Sequence, residues 1–207
     1  MTNFDYYLIV TGSHLLKKHG YTINEIKKDG IKIYKKFKMF EEKNDDSSAI
    51  MTEGFGKAIT NLTKIIKTLK PDLIFSGFDI GANFAAAIIG AHMNIHVAHL
   101  EGGEITGTID ESIRHAVTKL SHIHFVANEV ARNRLIQLGE RKELIYIIGS
   151  PDVDLMSSAS LVPIDNVRSR YEFSYEEYQK GLNGSPNDNP NLSKRMESIV
   201  ESLETCR

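Results

Sequence analysis

Cysteine is nearly absent from this chain: the one residue, Cys206, lies beside the C-terminus, so no intrachain disulfide can form. A fold without such a staple is held by its core, and this usage suits a reducing cytoplasm. No apolar run approaches the length of a membrane span, and Met1-Thr-Asn-Phe-Asp5 lacks the basic region and apolar core of a signal peptide. Without secretion, the glycosylation patterns that start at Asn61, Asn183 and Asn191 carry no meaning. Excess positive charge is lacking as well. A net charge of -2 leaves no basic footprint for nucleic acid, and no membrane partner is expected either. What is present is a hydrophobic content of 41% over 207 residues, enough for an ordinary globular core in one or two domains.

The apolar residues fall into alternating short runs and helical stripes. Residues 6–10, 31–37, 73–75, 95–98, 122–127 and 144–148 read as strands. Between them, residues 21–28, 49–69, 82–92, 109–120 and 129–138 read as helices. In the longest of these, Ile59, Leu62, Ile65, Ile66 and Leu69 keep helical spacing until Lys70-Pro71-Asp72 stops it. Strands and helices that alternate at these lengths predict an α/β fold, a Rossmann-like parallel sheet with helices on both faces. Residues 41–48 form a polar loop, and the lysines of residues 27–38 a solvated face. After Val167 the pattern changes: residues 181–190 read as a linker rich in Gly, Asn, Pro and Ser. Residues 191–203 read as a terminal helix with Met196, Ile199, Val200 and Leu203 on one face. The expected organisation is a domain over residues 1–166 followed by linker and helix over 167–207.

The chemistry concentrates in His99-Leu-Glu-Gly-Gly-Glu104 and Gly107-Thr-Ile-Asp-Glu-Ser-Ile-Arg-His115. Glycines follow a predicted strand there and precede a helix, which is where open α/β sheets place ligands. Glu101, Glu104, Asp110 and Glu111, with His99, Arg114 and His115, supply paired ionisable groups of the kind acid/base chemistry needs. A plainer reading uses the same residues. Gly102 and Gly103 serve as turn residues, Asp110 and Glu111 favour a helix N-terminus, and Arg114 pairs with them. Ser76-Gly77-Phe78-Asp79-Ile80-Gly81 is a second strand-to-helix turn, where Asp79 reads as an N-cap or a catalytic acid. Its glycines do not complete a dinucleotide fingerprint, and no cofactor is expected. His122 and His124 alternate along a strand, but a metal would need a third ligand that the sequence does not place.

The order of these residues, continued through Ala-Val-Thr-Lys-Leu-Ser-His-Ile-His124, resembles the hydrolysing UDP-N-acetylglucosamine 2-epimerases. One branch of that family acts on a bacillosamine-type sugar, and others serve sialic acid synthesis. The resemblance implies the N-terminal half of a glycosyltransferase-B type fold, and a UDP-N-acetyl sugar substrate. It implies that UDP leaves by elimination through a glycal, after which water adds at C1 and a proton returns to the opposite face of C2. By the same resemblance, Glu101 matches the acid after the histidine and Asp110 with Glu111 the acid pair before the arginine. Asp79 matches the aspartate of a Gly-Asp-Arg turn, with Phe78 and Ile80 standing where the family has glycine and arginine. His99, Gly102, Gly103, Arg114, His115 and Ser150 are the implied substrate-binding residues.

The resemblance runs from about Tyr6 to Tyr178 and implies truncation at both ends. The family's first strand, with its Gly-Ser/Thr-Arg turn, has no counterpart, and Thr11-Gly-Ser-His14 matches the segment after its second strand. The family's C-terminal nucleotide domain has none either. Complete members pair through this N-terminal domain, so a homo-oligomer is expected. Two alternatives stand beside the enzyme: a catalytically silent module kept for assembly, and a domain completed by a separately encoded half.

Overall fold

Six strands and five α-helices alternate through the described part of the chain, residues 4–77, 81–151 and 153 of a computed structural model. Nearly all of these residues belong to the first of two units, Met1–Ser150. In chain order the elements are β1 (Leu8–Val10), α1 (Ile23–Lys28), β2 (Ile33–Lys36), α2 (Ser48–Leu69), β3 (Leu73–Gly77), α3 (Gly81–Met93), β4 (His96–Leu100), α4 (Ile109–Leu120), β5 (Ile123–Val126), α5 (Glu129–Gln137) and β6 (Ile145–Ile147). Short 3-10 turns occupy Gly12–Leu15, Lys17–His19 and Lys142–Leu144. The expected linker and terminal helix, together with Asp79 and Cys206, lie outside the described residues.

Local chemistry explains where the elements begin and end. Ser47 caps α2 by accepting the Ile50 N–H at 3.4 Å, and the helix buries Ala58, Leu62 and Ile66 at four-residue spacing. It stops at Lys70, which turns left-handed (φ 52°) and returns its N–H to Ile66 O, just ahead of Pro71. Asn128 opens α5 in the same manner, accepting the Ala131 N–H at 2.9 Å. β1, β2, β5 and β6 are shorter than their apolar runs, whereas β3 and β4 run two residues past theirs. β2 keeps Ile33–Lys36 of the residues expected between Ile31 and Phe37, and Ile31 and Lys32, both exposed, fall outside it.

All strand pairs are parallel, in two sheets: β1-β2, and β3-β4-β5-β6. Helices flank the first sheet on both faces. Leu8, Val10 and Ile33 pack with Ile23 and Ile26 of α1, while Ile9 turns to the core built by Ala58, Leu62 and Ile66 of α2. In the second sheet, Ile74, Val97 and Val126 lie on the face that meets α3, α4 and α5. The opposite face carries an aromatic row: Phe75 stacks on Phe125 with centroids 5.9 Å apart, and Phe125 meets Tyr146 at 5.9 Å. Phe75 is 57% exposed. Parallel order brings the carboxyl ends of β3 to β6 to one edge of the sheet, and the acid-rich segment leaves the sheet at that edge.

Candidate functional site

β4 is longer than its apolar run suggests, reaching Leu100, and this changes the role of His99. The sequence places His99 at a turn beside the cleft. The structure places it inside the strand, fully buried, opposite His124 of β5. Its Nδ1 lies 3.2 Å from Thr118 Oγ1, which itself donates to Arg114 O at 3.1 Å. A hydroxyl has one hydrogen, so Thr118 accepts from His99 and the imidazole carries its proton on Nδ1. Burial above all, then the charges of His124, Arg114 and His115, lowers the His99 pKa to about 3. The ring is therefore a neutral support beneath the turn. Its neighbour His124 is also driven below its ordinary value by burial, against the pull of Glu140, whose Oε2 lies 3.3 Å from Nε2. Glu140 in turn holds Lys119 Nζ at 2.5 Å, tying the segment after α5 to α4.

The turn from Glu101 to Glu104 rests on this support. Glu101 adopts a left-handed backbone (φ 63°) that non-glycine residues rarely take, and its N–H donates to Phe125 O at 2.8 Å, anchoring the turn to β5. Gly102 lies so close to the histidine that a Cβ there would stand 3.0 Å from His99 Nδ1. At Gly103 (φ 87°) a Cβ would stand 2.5 Å from Ala131 O and 2.8 Å from Leu135 Cδ1. Contact with α5 thus requires glycine at position 103, whereas Gly102 packs tightly on His99 and, at 3.2 Å, on Thr118 of α4. Two guanidinium groups complete the cradle: Arg114 Nη1 donates to Glu104 O at 2.8 Å, and Arg134 Nη1 to Gly103 O at 2.9 Å. Asn128 Nδ2 reaches Glu104 Oε1 at 3.3 Å.

The acid pair at the start of α4 is engaged differently. Thr108 caps the helix, accepting the Asp110 N–H at 3.3 Å and donating its hydroxyl to Asp110 Oδ2 at 3.2 Å. Glu111 Oε2 accepts the N–H groups of Gly107 and Thr106 at 2.9 and 3.0 Å, and those bonds hold its carboxyl below the usual carboxylate range. His115 Nε2 stands 3.8 Å from Glu111 Oε1, one helical turn on. Ser150 follows β6, two strands from β4 and so roughly 10 Å across the sheet. His14 follows β1, and its Nδ1 lies 2.7 Å from Thr22 Oγ1. His122 precedes β5, where its Nδ1 accepts the Val97 N–H at 3.2 Å.

The structure therefore gathers Glu101, Gly102, Gly103, Glu104, Arg114 and Asn128 at the end of β4. Around them, Asp110, Glu111 and His115 line the start of α4. Sequence reasoning missed Thr118, Asn128, Arg134 and the His124–Glu140 pair. Asn128 had a legible signal, a side-chain acceptor between strand and helix. Arg134 had none, because its partner lies on another element.

Comparison with known proteins fits this geometry. The profile of the UDP-N-acetylglucosamine 2-epimerase family matches residues 1–201. A UDP-N-acetylglucosamine 2-epimerase of Neisseria meningitidis serogroup B is 39% identical over 85% of this chain and 45% of its own length. A hydrolysing UDP-N,N'-diacetylbacillosamine 2-epimerase of Legionella pneumophila is 39% identical over 83% of this chain and 45% of its own. The chain spans about half the length of the curated relatives it matches. In fold it is similar to the crystal structure of a Neisseria meningitidis UDP-GlcNAc 2-epimerase bound to UDP-GlcNAc. The TM-score is 0.62 at 21% identity, over 80% of this chain and 52% of that one. On the profile match and these identities, the chain belongs to the UDP-N-acetylglucosamine 2-epimerase family.

Proposed function

We propose that these residues carry the sugar-side acids of a hydrolysing 2-epimerase acting on a UDP-N-acetyl sugar, in the sialic or legionaminic acid branch. The observation that carries this reading is the placement of Glu101: left-handed, tethered to β5, and set on a turn cradled by α4 and α5 at the ligand-binding edge of a parallel sheet. The hydrolysing relative at 39% identity supports the subtype. In this reading a carboxylate takes the proton from C2, and the C1–oxygen bond breaks as UDP leaves, giving a glycal. Water then adds its oxygen to C1 while a proton enters C2 from the other face. The products are UDP and the 2-epimerised free sugar. Glu101 is the proton-exchanging group, and Asp110, Glu111 and Asp79 are the other catalytic acids of this reading. His99 acts from below, through the turn. Gly102, Gly103, Arg114, His115 and Ser150 shape the sugar pocket. Nucleotide recognition falls to the half of the relatives' length that this chain does not span, supplied in the same or another polypeptide, with pairing of two copies through this domain.

The test is solvent-proton exchange at C2. Incubated with UDP-N-acetylglucosamine in deuterated buffer, with its complementing half present, the protein should release a product deuterated at C2. Glu101→Gln should lower that incorporation by about 100-fold or more, the range of a general acid/base group, without lowering the melting temperature. Parental incorporation by Glu101→Gln removes Glu101 from the proton path.

A further inference from the structure

Two arginines from different helices hold two successive carbonyls of one turn. Arg114 of α4 donates to Glu104 O at 2.8 Å and Arg134 of α5 to Gly103 O at 2.9 Å. We infer that Arg134 is a positioning residue for Glu101, fixing the turn from the α5 side as Arg114 fixes it from the α4 side. The turn needs such fixing. It contains two left-handed residues, Glu101 at φ 63° and Gly103 at φ 87°, and a non-glycine residue in that region persists only where its surroundings over-determine it. At its upstream end the tether is the Glu101 N–H to Phe125 O, on β5. At its downstream end the tethers are the two guanidiniums. α5 approaches closely enough for this because Gly103 has no side chain to meet Ala131 O and Leu135.

A guanidinium suits the task better than an ammonium. It stays charged at any working pH, its planar fork is preorganised, and it gives up less hydration to donate to a neutral carbonyl. The same helix offers an internal contrast: Arg132, half-buried like Arg134, pairs with Glu129 at 3.5 Å. Arg132 and Arg134 thus carry the same charge two residues apart, and only Arg134 bonds the turn.

Glu101 matters through the role proposed for it above, on which this assignment rests, but its test needs no substrate. The 207-residue protein is labelled with carbon-13 and nitrogen-15, and the parent is compared with Arg134→Lys, Arg134→Met and Arg132→Met. Both Arg134 variants should shift the Gly103 carbonyl resonance and leave that of Glu104 in place. They should speed exchange of the Glu101 amide roughly tenfold, the equivalent of one ordinary hydrogen bond. Val97, at the far end of β4 with its N–H on His122 Nδ1, should keep the parental rate. Arg132→Met should leave both the Gly103 carbonyl resonance and the Glu101 amide exchange rate at their parental values. An unmoved Gly103 carbonyl in both Arg134 variants overturns the assignment. So does acceleration at Val97 equal to that at Glu101, which would mean loss of the whole fold. Absence of C2 exchange in the preceding experiment would instead overturn the role of Glu101.

Discussion

At the scale of single residues, the acid turn is governed by what has no side chain. Gly103 faces two separate demands, a left-handed backbone and a helix carbonyl 2.5 Å from where a Cβ would sit. Gly102 faces one, the His99 ring at 3.0 Å. An added methyl at Gly103 must therefore displace α5, while at Gly102 the imidazole can give by a few tenths of an ångström. Gly103→Ala is expected to cost about 2–4 kcal/mol and Gly102→Ala about 1–2 kcal/mol, both read from urea unfolding midpoints. Equal midpoints for the two variants would show that the contact with α5 is looser than the geometry indicates.

At the scale of elements, the start of α4 engages both proposed acids, Asp110 through the Thr108 cap and Glu111 through the preceding loop. Glu111 bonds two loop amides, Thr106 and Gly107, as its carboxylate. Because its folded pKa lies below the ordinary value of 4.5, this contribution is fully present above that pH and is lost as pH falls through the lowered value. Glu111→Gln is expected to speed amide exchange at Thr106 and Gly107 while leaving β4 untouched, as measured at neutral pH by residue-resolved hydrogen exchange. Unchanged exchange at those two amides would show that the loop is held by other groups. For Glu111 to act on a sugar proton it must leave these amides, so capping and catalysis would be successive states of one side chain.

At the scale of the whole molecule, the buried histidines make the fold sensitive to acid. His99 is held neutral down to about pH 3, whereas in the unfolded chain it titrates near 6.5. Between those values the unfolded state binds a proton that the folded state does not, so stability falls as pH drops through that window. His124 is shifted in the same direction and adds to the slope. The denaturation midpoint should decline from pH 6.5 toward pH 4, and His99→Gln should flatten that decline, whatever it does to stability at neutral pH. A parental slope in His99→Gln would assign the acid sensitivity to other groups.

The alternation of elements and most of their centres are set by the sequence alone, because apolar spacing, caps and the Lys70-Pro71 stop act within a few residues of themselves. The acid motif and its glycines are legible for the same reason: Glu101 to Glu104 are consecutive, and their order carries the family resemblance. Tertiary structure decided the rest. His99 reads as a cleft residue until β4 pairs with β5 and turns its ring inward, opposite His124. Gly102 and Gly103 read as turn residues until α4 and α5 arrive beneath them. Arg134 carries no signal, since a helix arginine looks the same whether it meets water or a carbonyl 31 positions away. What a residue can do chemically is written in its own side chain; what it does is set by the partner that folding brings to it.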